Sequence, residues 1–234
     1  MKKQRLFESK TKRLVDIFVS IMGIIVFLPI WIIIALLIKI TSPGPILFTQ
    51  DRPGYHKKIF KVYKFRTMYP GSEKMVKGKE VMKDDSRVTG FGKFLRRSKL
   101  DEIPQLWNVL KGDMSLVGPR PERVESLADY TKEVEKRLNM RPGLTGLAQV
   151  SGNIYLELPE RYRLDVYYVE HFSLKLDLEI LLRTIGVVFL GEEKYKNIPL
   201  IKNSRTKKMK KNFNHGGRQL HRDISRSVAD SVRV

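Results

Sequence analysis

The chain has 234 residues, of which 42% are hydrophobic, enough to bury a core and to exclude wholesale disorder. It contains no cysteine, which excludes a disulfide framework, a cysteine nucleophile, thiolate metal sites and iron–sulfur clusters. Its 45 Lys and Arg residues outnumber 25 Asp and Glu residues, so the formal net charge is +20. The ends carry much of that charge, +5 in residues 1–13 and +8 in residues 202–234. Such ends favour anionic surfaces, either phospholipid headgroups or nucleic acid.

An uncharged apolar run of 22 residues extends from Ile17 to Ile38. As a helix it would cover about 33 Å, enough to cross a bilayer core of about 30 Å. It is longer than the apolar region of a cleaved signal peptide, and Lys39 follows it in place of a cleavage site. Pro29 bends the helix near its middle, which leaves arms of 12 and 10 residues. A spanning helix and a re-entrant helix both fit, and the basic residues at both ends favour two cytoplasmic ends.

The next segment reads as a β-hairpin. Ile46–Gln50 and Ile59–Thr67 have strand patterns, and the turn Arg52-Pro53-Gly54 lies between them. In the second strand Lys64 and Arg66 alternate with aromatic and apolar residues. A cationic strand of this kind could hold a phosphate or nucleotide, or it could lie on lipid.

An amphipathic helix is predicted from the spacing of apolar residues between Ile103 and Leu110. Because a proline is tolerated only in the first turn, Pro104 places the start of this helix near Asp101. Gly112 is a stop signal after a cationic last turn.

Two carboxylates, Asp101 and Glu102, would then lie at a helix N-terminus, with Arg96 just upstream. One interpretation is capping alone, since Ser98 and Asp101 have the spacing of a capping box. The other is phosphoryl chemistry, in which Asp101 attacks a bound phosphate and Glu102 binds a divalent cation that offsets the negative charge.

Two proline-containing turns each present an arginine, Arg120 in residues 117–121 and Arg141 in residues 141–146. A fixed backbone helps a guanidinium to make bidentate contacts with phosphate. The glycines of these turns match neither a P-loop nor a dinucleotide-binding fingerprint.

Two helical segments, residues 160–168 and 172–190, complete a mostly helical α+β fold with a small hairpin or sheet. The predicted organisation is a basic N-terminal segment (1–13), a membrane helix (14–39), a catalytic domain (40–201) and a basic flexible tail (202–234).

Six motifs occur along residues 10–190: KRLVD (12–16), FTQDRPG (48–54), KVYKFRTM (61–68), LDEIPQLWNVLKGDMSLVGPRP (100–121), RPGLTGLAQVSG (141–152) and LDVYYVE (164–170). In this order and spacing they resemble the motifs of bacterial sugar transferases, the monotopic phosphoglycosyl transferases that prime surface-glycan synthesis.

This resemblance implies transfer of a sugar-1-phosphate from a UDP-sugar to polyprenyl phosphate at the cytoplasmic face of the bacterial membrane, with release of UMP. It implies a covalent phosphosugar on Asp101, with Glu102 assisting Mg²⁺ binding. It further implies a re-entrant helix broken at Pro29, although this chain has Leu28 where the family often has serine. The implied substrate-binding residues are Lys64, Arg66, Arg96, Arg120, Arg141 and Asp165.

The implied partners are the UDP-sugar, polyprenyl phosphate and anionic membrane lipids, with no nucleic acid expected. The amphipathic surfaces permit a homodimer without requiring one. The alternative function is a membrane-tethered basic binding or scaffold protein without catalysis, which the +8 tail motivates.

Overall fold

The computed structural model describes the backbone of residues 2–72, 85–196, 198, 200 and 201, and the side chains from Ser9 onward. The chain forms two compact units: the first comprises residues 1–52 and 59–116, and the second comprises residues 53–58 and 117–234. The predicted catalytic segment, residues 40–201, is thus divided between them. The fold is mostly helical with two small two-stranded sheets among the described residues, as predicted. The predicted flexible tail lies outside the described residues.

The first unit begins with one long helix, α1 (Lys2–Thr41). By length and composition its segment Ser9–Thr41 could cross a membrane. Many of its large apolar side chains are exposed, including Phe18, Ile25 and Ile40. Pro29 lies inside α1, and the helix continues on both sides of it, so the two predicted arms belong to one helix.

Two charged side chains bind the N-terminal part of α1 to the rest of the first unit. Arg13 donates hydrogen bonds to the carbonyl oxygens of Val109 (2.6 Å) and Leu110 (2.8 Å). Asp16 is buried, and one of its carboxylate oxygens accepts a bond from the main-chain N–H of Leu116 (3.0 Å). The residues that precede the apolar run therefore bind the same unit that follows it.

The C-terminal end of α1 is held by Arg66. Its buried guanidinium donates to the carbonyl oxygens of Ser42 (2.7 Å) and Pro43 (2.8 Å) and to the Ser42 hydroxyl (2.7 Å). Nearby, Ile34 and Ile38 are buried in one apolar cluster with Phe65 and Leu95. Both ends of the apolar run thus pack on the first unit, whereas a spanning helix would separate its ends by the bilayer core.

The predicted hairpin is confirmed by the pairing of β1 (Leu47–Pro53) with β2 (Ile59–Phe65). Two helices follow in the first unit, α2 (Gly90–Arg97) and α3 (Gln105–Lys111). The buried amide of Asn108 joins α3 to β2, because it donates to the Lys61 carbonyl (2.7 Å) and accepts from the Tyr63 N–H (3.1 Å).

The end of α3 is predicted correctly, and its start is not. Gly112 terminates the helix with φ of +90°, a conformation that glycine adopts without strain. The helix begins at Gln105, and the predicted first turn is a separate 3₁₀ turn, Leu100–Glu102. Pro104 has no N–H to donate to Leu100, so an α-helical bond that would extend α3 backwards is missing.

The longer segment of the second unit begins at the last residue of β3 (Ser115–Val117), which pairs with β4 (Gly143–Thr145). Its helices are the short α4 (Lys132–Glu135), α5 (Leu158–Glu170) and α6 (Leu174–Leu190).

One face of α6 packs inside the second unit through Ile180 and Val187, which are buried. The other face exposes a stripe of large apolar residues: Leu178, Leu182, Ile185 and Phe189. The helix therefore carries apolar residues on both of these faces, unlike an ordinary surface helix, whose exposed face is polar.

Candidate active site

The two carboxylates lie in the 3₁₀ turn Leu100–Glu102, between α2 and α3. The residue before this turn, Lys99, has a left-handed backbone with φ of +58°. An L-residue other than Gly, Asn or Asp adopts this conformation at a cost of roughly 1–2 kcal/mol, and such strain concentrates at functional sites. Asp101 is only 7% exposed, and Glu102 is half-buried.

The capping interpretation of these carboxylates is wrong. The Ser98 hydroxyl donates back to the Phe94 carbonyl (2.9 Å) and so does not cap the following turn. Neither the 3₁₀ turn nor α3 has a side-chain cap at its first position. Burial of Asp101 therefore has no explanation in a capping box.

The electrostatic environment of Asp101 combines burial with neighbouring cations. Burial, and secondarily the charge of Glu102, raise the pKa of Asp101 to about 6. The charges of Lys64, Arg96 and Lys99 act in the opposite direction. Asp101 is consequently ionised at neutral pH, in a desolvated setting that suits an anionic nucleophile.

Lys64 and Arg96, both predicted from sequence, lie in the first unit with the two carboxylates. The Lys64 ammonium forms an ion pair with Glu102 at 2.6 Å. Arg96 occupies the last turn of α2, and burial lowers the pKa of its guanidinium.

Arg66 has different surroundings from those expected of a substrate-binding residue. Its guanidinium is buried against the end of α1, as described above, and its desolvation lowers the pKa. The geometry connects Arg66 to the end of α1 and Lys64 to Glu102, although the two residues are only two positions apart.

In the second unit the two predicted turns that carry Arg120 and Arg141 lie next to each other. The Gly118 N–H donates to the Thr145 carbonyl, and the Gly143 N–H donates to the Pro119 carbonyl, both at 2.9 Å. A Cβ on Gly143 would overlap the backbone of Gly118, so only glycine permits this approach. The turns that carry Arg120 and Arg141 are thereby fixed side by side.

Asp165, also predicted from sequence, lies on α5 and is 2% exposed. It forms an ion pair at 2.5 Å with Arg137, which is 2% exposed as well. Sequence reasoning missed Arg137, because nothing near it in the chain signals a carboxylate partner 28 residues away.

A site for Mg²⁺ would rest on few protein ligands. Among the described residues, no group of three or more His, Cys, Asp and Glu side chains is arranged to hold a metal. Mg²⁺ is commonly held by one or two carboxylates together with substrate phosphates and water. Asp101 and Glu102 are adjacent oxygen donors whose mutual repulsion contributes to the raised pKa, so they fit a divalent cation of this kind.

Comparison with known proteins shows which family the chain is similar to. A family model described as bacterial sugar transferase matches residues 7–191. Galactosyl transferase CpsE of Streptococcus agalactiae serotype III (strain NEM316) is 40% identical over 191 residues, which cover 77% of this chain and 42% of that protein. The UDP-glucose:undecaprenyl-phosphate glucose-1-phosphate transferase of Klebsiella pneumoniae is 40% identical over 194 residues, or 79% of this chain and 41% of that protein.

A shorter relative aligns over most of its length. Exopolysaccharide production protein PSS of Rhizobium leguminosarum bv. phaseoli is 41% identical over 185 residues, or 74% of this chain and 92% of that protein. The chain thus spans less than half the length of the two larger relatives and nearly all of this one.

Proposed function

This chain belongs to the bacterial sugar transferase family, and we propose that it transfers a sugar-1-phosphate from a UDP-sugar to polyprenyl phosphate at a membrane. The observation that carries the proposal is the buried Asp101 beside the half-buried Glu102 among cations, within the segment that the family model matches. The Klebsiella relative is named for this reaction with UDP-glucose and undecaprenyl phosphate. Such a product would begin the synthesis of a surface polysaccharide.

The proposed chemistry uses Asp101 as the nucleophile. A carboxylate oxygen of Asp101 attacks the phosphorus that carries the sugar, and the bond from that phosphorus to the bridging oxygen breaks. UMP leaves with the electron pair, and the phosphosugar remains on Asp101. A phosphate oxygen of polyprenyl phosphate then attacks the same phosphorus, and the carboxylate of Asp101 leaves unchanged.

The cations of the first unit oppose the charge that accumulates in this reaction. The pKa of Asp101 permits ionisation at neutral pH, and Lys64, Arg96 and Lys99 favour its anionic form. Glu102, together with Asp101, would hold Mg²⁺, which supplies charge neutralisation at the phosphates when bound. Arg120 and Arg141 are the proposed contacts of the second unit with substrate phosphates.

A re-entrant arrangement of α1 accompanies this proposal. It is supported by Arg13 and Asp16 before the apolar run and by Arg66 after it, which bind both ends to the first unit. A nucleotide sugar is a cytosolic molecule, so we place the first unit and both ends of α1 at the cytoplasmic face. The exposed stripe of α6 and the net charge of +20 support contact with anionic lipids.

The test is UMP release from a panel of UDP-sugars, measured with purified full-length protein, Mg²⁺ and polyprenyl phosphate. We expect lipid-dependent UMP release with at least one sugar, and its loss in Asp101→Asn. Asp113→Asn, a half-buried carboxylate of the same unit, is the matched control and should retain the rate.

Each of the other outcomes has a distinct meaning. Full activity in Asp101→Asn would exclude the assigned nucleophile. Absence of UMP release from every donor would overturn the proposed reaction and favour a membrane-tethered binding or scaffold protein.

A further inference from the structure

Arg137 and Asp165 are the most completely buried charged side chains described in the second unit, and the side chain of Arg137 joins three separate segments. One terminal nitrogen donates to the Tyr130 hydroxyl (2.6 Å), and the other donates to Asp165 on α5. The latter nitrogen also donates to the main-chain carbonyl of Arg120 (2.7 Å). The guanidinium lies over the ring of Tyr162 at 4.6 Å, with Tyr130 at 5.6 Å.

Stability alone is a weak reason for such a pair. Desolvation of two charges offsets much of their attraction, and apolar residues of similar volume often stabilise a core as well or better. The ion pair contributes orientation instead. The guanidinium has several donors in a fixed plane, so it holds in place the segments that those donors contact.

The segment fixed in this way is the turn that carries Arg120. Its backbone is held on one side by Arg137 and on the other by the contacts of Gly118 and Pro119 with residues 143–145. A small cavity of about 10 Å³ is lined by Pro119, Arg120 and Arg137, among others, so the turn and the Arg137 side chain border the same cavity.

We propose that Arg137 and Asp165 are positioning residues, which hold the turn of Arg120 so that this arginine can bind the diphosphate of the nucleotide sugar. Asp165 then acts through Arg137 and the turn, and does not touch the substrate. This inference rests on the proposed function and changes the role that the family resemblance implies for Asp165.

A double-mutant cycle tests the inference. The variants are Asp165→Asn, Arg120→Ala and the double variant, all as full-length protein with kcat and KM measured for the UDP-sugar. We expect Asp165→Asn to raise KM about tenfold with a smaller change in kcat, and Arg120→Ala to raise KM at least as much. The double variant should be within about threefold of Arg120→Ala, because both changes remove the same interaction.

The matched control is Glu170→Gln. Glu170 lies on the same helix as Asp165 and pairs with Lys136, the neighbour of Arg137, but this pair is exposed. It joins the same two segments without reaching Arg120, so we expect KM to be unchanged.

Two outcomes of this experiment would contradict the inference. Multiplicative effects of Asp165→Asn and Arg120→Ala would show that Asp165 acts independently of Arg120, and would overturn the inference. A lower melting temperature with unchanged KM in the folded Asp165→Asn variant would reduce the pair to a structural role. If that variant does not fold, Arg137→Lys keeps the charge but loses the second donor, and the same raised KM is expected.

Binding of UDP alone separates this inference from the proposed reaction. If wild-type protein binds UDP and releases no UMP from UDP-sugars, the proposed reaction fails. The positioning role would then be supported by weaker UDP binding in Asp165→Asn than in Glu170→Gln, and overturned by equal binding. Wild-type protein that neither binds UDP nor turns over would overturn both.

Discussion

The proposed role of Asp101 requires a protonation state that its burial disfavours. The buried carboxylate has a pKa raised to about 6 from 3.8, chiefly by desolvation, so its ionised form is disfavoured in the folded protein. The proposed reaction needs that ionised form. Burial and the strained backbone of Lys99 are therefore features that we attribute to function.

The first prediction concerns the pH dependence of the covalent step. Since only ionised Asp101 can attack, kcat/KM for the UDP-sugar should fall as the pH decreases through about 6, by about tenfold per pH unit below it. A higher Mg²⁺ concentration should move this midpoint to lower pH, because a bound cation favours the ionised carboxylate. The rate of UMP release between pH 5 and 8 measures this, and a flat profile down to pH 5 would contradict it.

The second prediction is that Asp101→Asn stabilises the protein while it abolishes turnover. Above about pH 6 the native carboxylate is ionised at a cost relative to the unfolded chain, and an amide removes that cost. The gain should be of the order of 1–3 kcal/mol at pH 8 and should vanish below about pH 4, where both states are protonated. Thermal unfolding in detergent at the two pH values measures it. A destabilised Asp101→Asn at pH 8 would refute the assigned burial.

At the scale of elements, α1 is organised by what binds its two ends. Arg13 satisfies carbonyl groups at the end of α3, and Arg66 satisfies carbonyl groups just after the end of α1. Carbonyl groups left without donors in an apolar setting would cost about 1–3 kcal/mol each. The side chains that hold the two ends therefore keep both ends on the first unit, as the proposed re-entrant arrangement requires.

The third prediction is that both ends of α1 are accessible from one side of the membrane. The chain has no cysteine, so single substitutions at Ser9 and Thr41, both exposed, can be labelled without background. A membrane-impermeant maleimide should label Ser9→Cys and Thr41→Cys only in inverted vesicles, whose cytoplasmic face is outward. Labelling of one position in inverted vesicles and the other in right-side-out vesicles would establish a spanning helix instead.

Over the whole molecule, local patterns predicted local structure well. The hairpin around residues 47–65 and the end of α3 at Gly112 follow from turn residues and from strand and helix periodicity. The predicted start of α3 was wrong, because the spacing of apolar residues does not distinguish α-helical from 3₁₀ hydrogen bonds before Pro104.

Long-range contacts were the part that sequence could not provide. Asp101 and Glu102 could be singled out as adjacent carboxylates within a specific motif, but the burial that raises the pKa of Asp101 depends on distant segments. Arg137 gave no signal, since its partners are at positions 120, 130 and 165. The contact of Arg66 with the end of α1 likewise joins residues more than 20 positions apart.

The fourth prediction concerns the net charge of the whole chain. Deletion of residues 202–234 removes +8 of the +20 and leaves intact all of residues 7–191, which the family model matches. A basic residue near an anionic bilayer surface contributes about 1 kcal/mol of binding at most, and salt screens this contribution within about 10 Å. The truncated protein should therefore turn over several-fold more slowly on vesicles with 30% anionic lipid at low ionic strength.

On zwitterionic vesicles, or in detergent, its kcat should equal that of the full chain, because the tail has no part in the proposed chemistry. Measuring UMP release on both vesicle types at two salt concentrations decides the matter: an equal loss on both would place the tail in the reaction itself.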